Sequence, residues 1–219
     1  EHPPAFGMQL KSFDDSKSKK MSGIVDVFKM KKNLDPSNPS WVDNDAFNEV
    51  VVIVGNTTWE VLQAKKVLKC EWEMTPEKSE ERTFFGRKVT IKTPAGLENT
   101  EDHYKLLASN EKKVKLVRKD GNPDYMFKKA AKIIERSYTC PFLAHNTMEP
   151  MNFFADVTTE KALLVGPIQT PEYMEKTVSK RLEMPLEKID IQMTRMGGGF
   201  GRRLYGHFLT EAAVISKEM

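Results

Sequence analysis

Two periods alternate along this chain of 219 residues. Between positions 188 and 195, Ile189, Ile191 and Met193 alternate with Asp190, Gln192 and Thr194, which is the period of a half-buried strand. Between 202 and 219, Leu204, Phe208, Ala212 and Ile215, with Leu209 and Ala213 beside them, recur at helical spacing. The run Met196-Gly197-Gly198-Gly199-Phe200-Gly201 joins the two, predicting strand, glycine turn and helix. Upstream, 153–157 and 161–166 predict a hairpin turning near Thr158-Thr159. Thr170-Pro171 then opens a helix, with threonine as cap and proline at the first helical position. Two strands joined by one helix are expected to be parallel. Gln169 and the glycine turn should therefore share the carboxyl edge of one sheet, where open α/β sheets bind ligands.

The earlier part alternates similarly. Residues 24–30 and 49–54 predict strands, the second apolar enough to be buried on both faces. Residues 57–70 predict a helix capped by Asn56 or Thr57, with Trp59, Val61, Leu62, Val67 and Leu68 as one face. A loop is expected at 35–40. From 75 to 122, Pro76, Gly86 and Pro94-Ala95-Gly96 predict an extended linker with one short helix at 100–108. Periodicity returns with a helix at 124–136, Tyr125, Phe127, Ala130, Ala131 and Ile134 inward, and a strand at 137–144. The fold class read from this order is α+β (mixed α/β): an α/β domain at 1–95, a linker at 96–122 and a second domain at 123–219.

Composition narrows the function. With 30% charged and 39% hydrophobic residues and a net charge of +3, the chain gives no reason to expect a nucleic-acid partner. Lysine runs at 17–20 and 112–115 read as solvated surface. No apolar run reaches the roughly 18 residues of a membrane span. Two cysteines supply neither a disulfide framework nor a metal ligand set, and Cys70 at a helix end and Cys140 in a strand are expected to be buried thiols. The chain starts at Glu1 and stops inside a predicted helix, so it is expected to be a piece of a longer protein.

The glycine run allows positive φ and close approach to the backbone, and amides at a helix start lack internal partners. Such a turn can hold an anion or an oxo group; a ligand-free connection is an equal reading. Neither a dinucleotide fingerprint nor a P-loop can be laid on it, since Arg202, Arg203 and Leu204 follow. Gln169 offers an amide that can donate and accept. His145 and Glu149 could orient one another or a substrate. No protein-ligated metal site and no serine-nucleophile elbow are expected. Arg202 and Arg203 are expected at the helix start, where positive charge opposes the macrodipole unless an anion or carboxylate faces them.

Three stretches, 145–152 (HNTMEPMN), 166–171 (GPIQTP) and 196–203 (MGGGFGRR), occur in the order seen in one family. Together they resemble the molybdenum-binding large subunit of the xanthine dehydrogenase and aldehyde oxidase family, nearest the isoquinoline 1-oxidoreductase beta subunit branch. Residues 3–7, 10–15 and 50–73 resemble its hammerhead domain. The resemblance implies a hammerhead-like domain followed by the first part of a molybdopterin-binding domain. It implies molybdopterin, the cytosine dinucleotide being one form, and hydroxylation of an aldehyde or N-heteroaromatic substrate with oxygen from water. It assigns the cofactor to Gln169, Gly198, Gly199, Phe200, Gly201 and Arg202, and a substrate pocket to His145, Glu149 and Leu204. The metal is held by the pterin, so no protein ligand to it is expected. Xanthine-type relatives carry a substrate-binding glutamate where this chain has Leu204, which argues against purine hydroxylation. No catalytic residue is expected within the chain: the family's general base would lie beyond Met219, leaving the isolated chain inactive and without cofactor. Expected partners are a small 2Fe-2S subunit and a downstream acceptor such as a cytochrome; a periplasmic or membrane-associated place is implied. Two other classes stay open: a non-catalytic binding or assembly module with a structural glycine turn, and an enzyme acting on a phosphate-bearing ligand.

Overall fold

Antiparallel pairing dominates the first hundred residues of the computed structural model, which describes residues 1–5, 7–31, 49–84, 86–93, 95–97, 99–110 and 115–219. Strand β1 (Met8–Asp14) pairs with β4 (Lys69–Met74), β2 (Ile24–Lys31) with β3 (Glu49–Gly55), and β5 (Lys78–Phe84) with β6 (Arg87–Thr93). Strand β3 is buried on both faces, as its unbroken apolar run predicts. Val51 packs with Leu10 and Val27, while Val50 and Val52 pack with Met30 and with Val214 and Ile215. Helix α1 (Thr58–Val67) starts where expected, the Thr57 hydroxyl accepting the Glu60 amide.

Its inward face departs from expectation. Ala64 is fully buried, whereas Trp59 and Leu62 point outward, Trp59 lying beneath the Lys66 ammonium. Helix α1 packs on β3, and Ala64 is its buried residue. Cys70 belongs to β4 instead of a helix end and is half-buried, which pushes its thiol pKa up. The hairpin β5–β6 occupies part of the predicted linker. Its residues are mostly charged or hydroxylic, and apolar alternation is confined to Val89 and Ile91, too short a run to mark the hairpin in the sequence. The predicted loop at 35–40 and most of the lysine run at 112–115 lie outside the described residues.

The chain divides into two compact units, Glu1–Leu97 with His145–Met219, and Glu98–Ala144. The second contains α2 (Thr100–Asn110), where a short helix was expected, and α3 (Pro123–Lys129). Asn122 caps α3 by accepting the Tyr125 amide. The helix predicted to reach 136 stops at Lys129, and residues 137–144 form no strand. Tyr125, Phe127 and Ile134, expected inward, are exposed, and so is Cys140, expected to be buried. A seven-residue helix draws its stability from packing, and among the described residues this segment's apolar face has no core to pack on.

Residues 145–219 behave as predicted in outline. Strand β7 (Phe154–Val157) turns back antiparallel onto β8 (Ala162–Gly166), and β8 runs parallel to β9 (Ile189–Met193) after the crossover helix α4 (Pro171–Leu182). Helix α5 (His207–Glu218) covers the sheet beside α4. Leu164, Ile168, Met174, Val178, Leu209 and Ala213 make the core. Gly206 abuts the Met174 side chain so closely that a Cβ there would overlap its sulfur. Helix α5 begins five residues later than expected, because Phe200 and Gly201 take positive φ and residues 199–204 close as turns.

Candidate functional site

Strands β8 and β9 end side by side, Gly166 paired with Met193 and the Thr194 amide donating to the Gly166 carbonyl at 3.1 Å. The chain leaving β8 therefore meets the chain leaving β9. Gln169 and Arg203 clasp at this junction: the Gln169 backbone N–H donates to the Arg203 carbonyl at 3.0 Å. In return the Arg203 backbone N–H donates to Gln169 Oε1 at 3.2 Å. The carboxamide oxygen is thus engaged, while the amino group of this exposed residue has no protein acceptor among the described residues.

The same side chain explains Gly199. A Cβ at 199 would sit 2.9 Å from Gln169 Oε1, so any larger residue would displace the amide. Gly198 has φ +103, and Phe200 is held at φ +48, a left-handed conformation that costs a non-glycine residue roughly 1 kcal/mol. Among the described residues, the amides of Gly198, Gly199, Phe200 and Gly201 make no hydrogen bond within the protein. Phe200 is 74% exposed, its ring lying over Gly198. His145 brings Nδ1 within 3.9 Å of where a Gly201 Cβ would stand.

Arg203 holds this loop from within. Its side chain is completely buried. Nε donates to the Gly198 carbonyl at 3.0 Å, and Nη2 donates to the Glu149 carbonyl and to Glu149 Oε2, each at 3.0 Å. Longer contacts reach the carbonyls of Pro167 and Pro150, and the guanidinium lies over the Phe208 ring. One planar fork thereby ties the three motif segments 145–152, 166–171 and 196–203 together, a task suited to arginine and not to lysine. Glu149 also accepts the Gly197 amide at 2.7 Å. That bond first, then one from Asn152, holds its carboxyl below the usual glutamate range against the opposing effect of burial, with the nearby Arg203 charge adding least.

The nine residues singled out from sequence, Gln169, Gly198, Gly199, Phe200, Gly201, Arg202, His145, Glu149 and Leu204, do gather at this edge. Leu204 donates its amide to the Gly201 carbonyl and accepts the Thr170 hydroxyl; Arg202 Nη1 lies 3.4 Å from His207 Nε2. The arginines do not start a helix as expected. Arg203 faces a carboxylate, Glu149, but from a turn before α5. Sequence reasoning passed over Arg203 as a site residue; the only signal was the doubled arginine behind the glycines, and nothing there identified which of the two turns inward. Among the described residues no cluster of three or more His, Cys, Asp or Glu could hold a metal ion, and no helix is long and apolar enough to cross a membrane.

Among the described residues the edge therefore presents donors without acceptors, four amides and the Gln169 amino group, with the Arg202 guanidinium adding positive charge beside them. Such a set fits a ligand bearing oxygen acceptors or negative charge. The family model described as the molybdopterin cofactor-binding domain matches residues 107–218. The chain belongs to that family. Its donor-rich edge lies inside the matched residues, and the oxygen-rich pterin cofactor fits the donors there. The chain is 27% identical over 217 residues to the membrane-bound aldehyde dehydrogenase (pyrroloquinoline-quinone) of Gluconacetobacter polyoxogenes, over 99% of this chain and 25% of the relative. It is 28% identical to aldehyde oxidase 4 of Rattus norvegicus, over 90% of this chain and 14% of the relative. The aldehyde oxidoreductase molybdenum-binding subunit PaoC of Escherichia coli K12 is 33% identical over 39% of this chain and 12% of its own length. In fold it resembles quinoline 2-oxidoreductase from Pseudomonas putida 86, with a TM-score of 0.55 at 16% identity, over 100% of this chain and 29% of that one. The chain thus spans about a quarter of the length of the first of these relatives. The family resemblance read from the three motifs holds.

Proposed function

We propose that this chain is part of the molybdenum subunit of a hydroxylase that oxidises an aldehyde or an N-heteroaromatic ring. The observation that carries the reading is the clasp between Gln169 and Arg203, which engages the glutamine oxygen next to a glycine turn whose amides at 198–201 make no hydrogen bond among the described residues. When bound, molybdopterin supplies hydroxylation of a carbon with oxygen drawn from water, an aldehyde and water giving a carboxylic acid with two electrons and two protons released. The protein's part is to orient. Gln169 donates through its amino end, the amides of Gly198, Gly199, Phe200 and Gly201 supply fixed dipoles, and Arg202 adds positive charge for an anionic tail such as a cytosine dinucleotide. His145, Glu149 and Leu204 flank the substrate side, Leu204 giving a purine no carboxylate.

In this reading residues 1–95 form a hammerhead-like domain, 96–122 a linker and 123–219 the first part of the cofactor domain. The general base is supplied from outside residues 1–219, and the isolated chain is inactive and cofactor-free. Electrons pass to a 2Fe-2S subunit and on to an acceptor such as a cytochrome, in a periplasmic or membrane-associated assembly of the isoquinoline 1-oxidoreductase kind. A second reading has one observation behind it: a relative aligned over nearly the whole chain is named for pyrroloquinoline quinone. Quinone oxygens would also accept from these donors. Metal analysis and cofactor extraction of the full natural polypeptide, made with its small subunit, separate the two. About one molybdenum per chain, falling severalfold in Gln169→Ala, is expected. Extracted quinone without molybdenum would replace the reading, and neither group would leave a binding module.

A further inference from the structure

We infer that Glu149 and Arg203 form a positioning couple that fixes which end of the Gln169 carboxamide faces the ligand. A glutamine amide can turn over and present either its oxygen or its amino group. Here the Arg203 backbone N–H takes the oxygen at 3.2 Å. A turned amide would set an amino group against that N–H, two donors face to face, and lose the bond. The orientation of Gln169 thus depends on where the Arg203 backbone lies. That backbone is placed by its own side chain, which is fully buried and anchored to the Gly198 carbonyl and to Glu149 through both its carbonyl and its carboxylate. Glu149 makes no hydrogen bond to Gln169 among the described residues, yet its carboxylate holds the guanidinium and, through the Gly197 amide at 2.7 Å, the first glycine of the turn. Removing that carboxylate leaves a buried guanidinium short of its charged partner and frees Gly197, so both supports of the Arg203 backbone loosen together.

Glu149 therefore acts through Arg203 as a positioning residue, with no contact to substrate required. This refines the proposed function, since it assumes that the Gln169 amino end is the one used on the cofactor. The couple itself can be tested without cofactor. In the full natural polypeptide, residue-resolved hydrogen exchange of Glu149→Ala is expected to speed the backbone amides of Gln169 and Arg203 on the order of tenfold or more, as local opening. The amides of Leu164 in β8 and Ala213 in α5 should be unchanged. Glu149→Gln keeps an oxygen for the Gly197 amide and should recover part of the protection. Arg203→Lys keeps the charge and loses the fork, and should show the same local loss; it serves if Glu149→Ala does not fold. Acceleration confined to Gly197, or spread evenly through Leu164 and Ala213, would overturn the couple. In the same variants, molybdenum retained by the polypeptide should fall as it does in Gln169→Ala. If the unaltered protein carries no molybdenum, the cofactor reading fails while the exchange pattern still decides the couple.

Discussion

Phe127, Ile134 and Phe142 are as apolar as Leu164, Ile168 and Leu209, yet the first three are 62%, 68% and 87% exposed and the last three at most 1%. The first set lies in Glu98–Ala144 and the second in His145–Met219. What differs is the company each segment keeps. Leu164 sits on β8, flanked by β7 on one side and β9 on the other and covered by α4 and α5. Phe127 sits on a seven-residue helix that has no buried residue. Apolar periodicity expresses a capacity for burial; a fold realises it only where a second face is supplied.

Three experiments press on that contrast. Leu164→Ala should produce the largest effect, a loss of about 3 kcal/mol read from denaturant unfolding, because the side chain is fully enclosed and its removal leaves a cavity. A loss below about 1 kcal/mol would mean that this core is looser than its burial implies. Acidification should act next. The carboxyl of Glu149 has a lowered pKa in the fold, so between the folded and unfolded values the unfolded chain binds more protons. Its contribution is complete above the ordinary glutamate range and fades as pH descends through that range towards the folded value. Unfolding midpoints measured down a pH series should fall more steeply for the unaltered protein than for Glu149→Gln, and parallel curves would contradict the assignment. The smallest change belongs to Phe127→Ala, expected within about 0.5 kcal/mol of the unaltered protein, since an exposed side chain has little packing to lose. A cost near that of Leu164→Ala would show that Phe127 is covered in solution.

The same contrast explains what could be read from sequence. The hairpin, the parallel β8–β9 pair and the meeting of Gln169 with the glycine turn follow from local alternation plus the short connections that link neighbouring strands. Strand β3 was legible because a short run of β-branched residues ending at Gly55-Asn56 suits a strand covered on both sides. The polar hairpin β5–β6 was missed, since period-two alternation records a buried face and here only Val89 and Ile91 carry it. The helix predicted at 124–136 was overextended for the reason that leaves Phe127 exposed. At the site, Gly199 and Gln169 could be placed from topology, but the inward turn of Arg203 could not. Its burial depends on Glu149, more than fifty residues away in sequence, and a pair of adjacent arginines carries no mark of which one will find a carboxylate.

Phe200 gives engineers of this chain an unusual handle. A phenylalanine at φ +48 is strained where glycine would be at ease. Replacing it with glycine would relieve that strain, while the greater freedom of glycine in the unfolded chain, roughly 0.4–1 kcal/mol, would take back a similar amount. The ring is already largely in solvent, so little burial is lost with it. The position is therefore one at which an aromatic surface over the turn can be erased with almost no thermodynamic trace, leaving any change in ligand preference attributable to the ring alone.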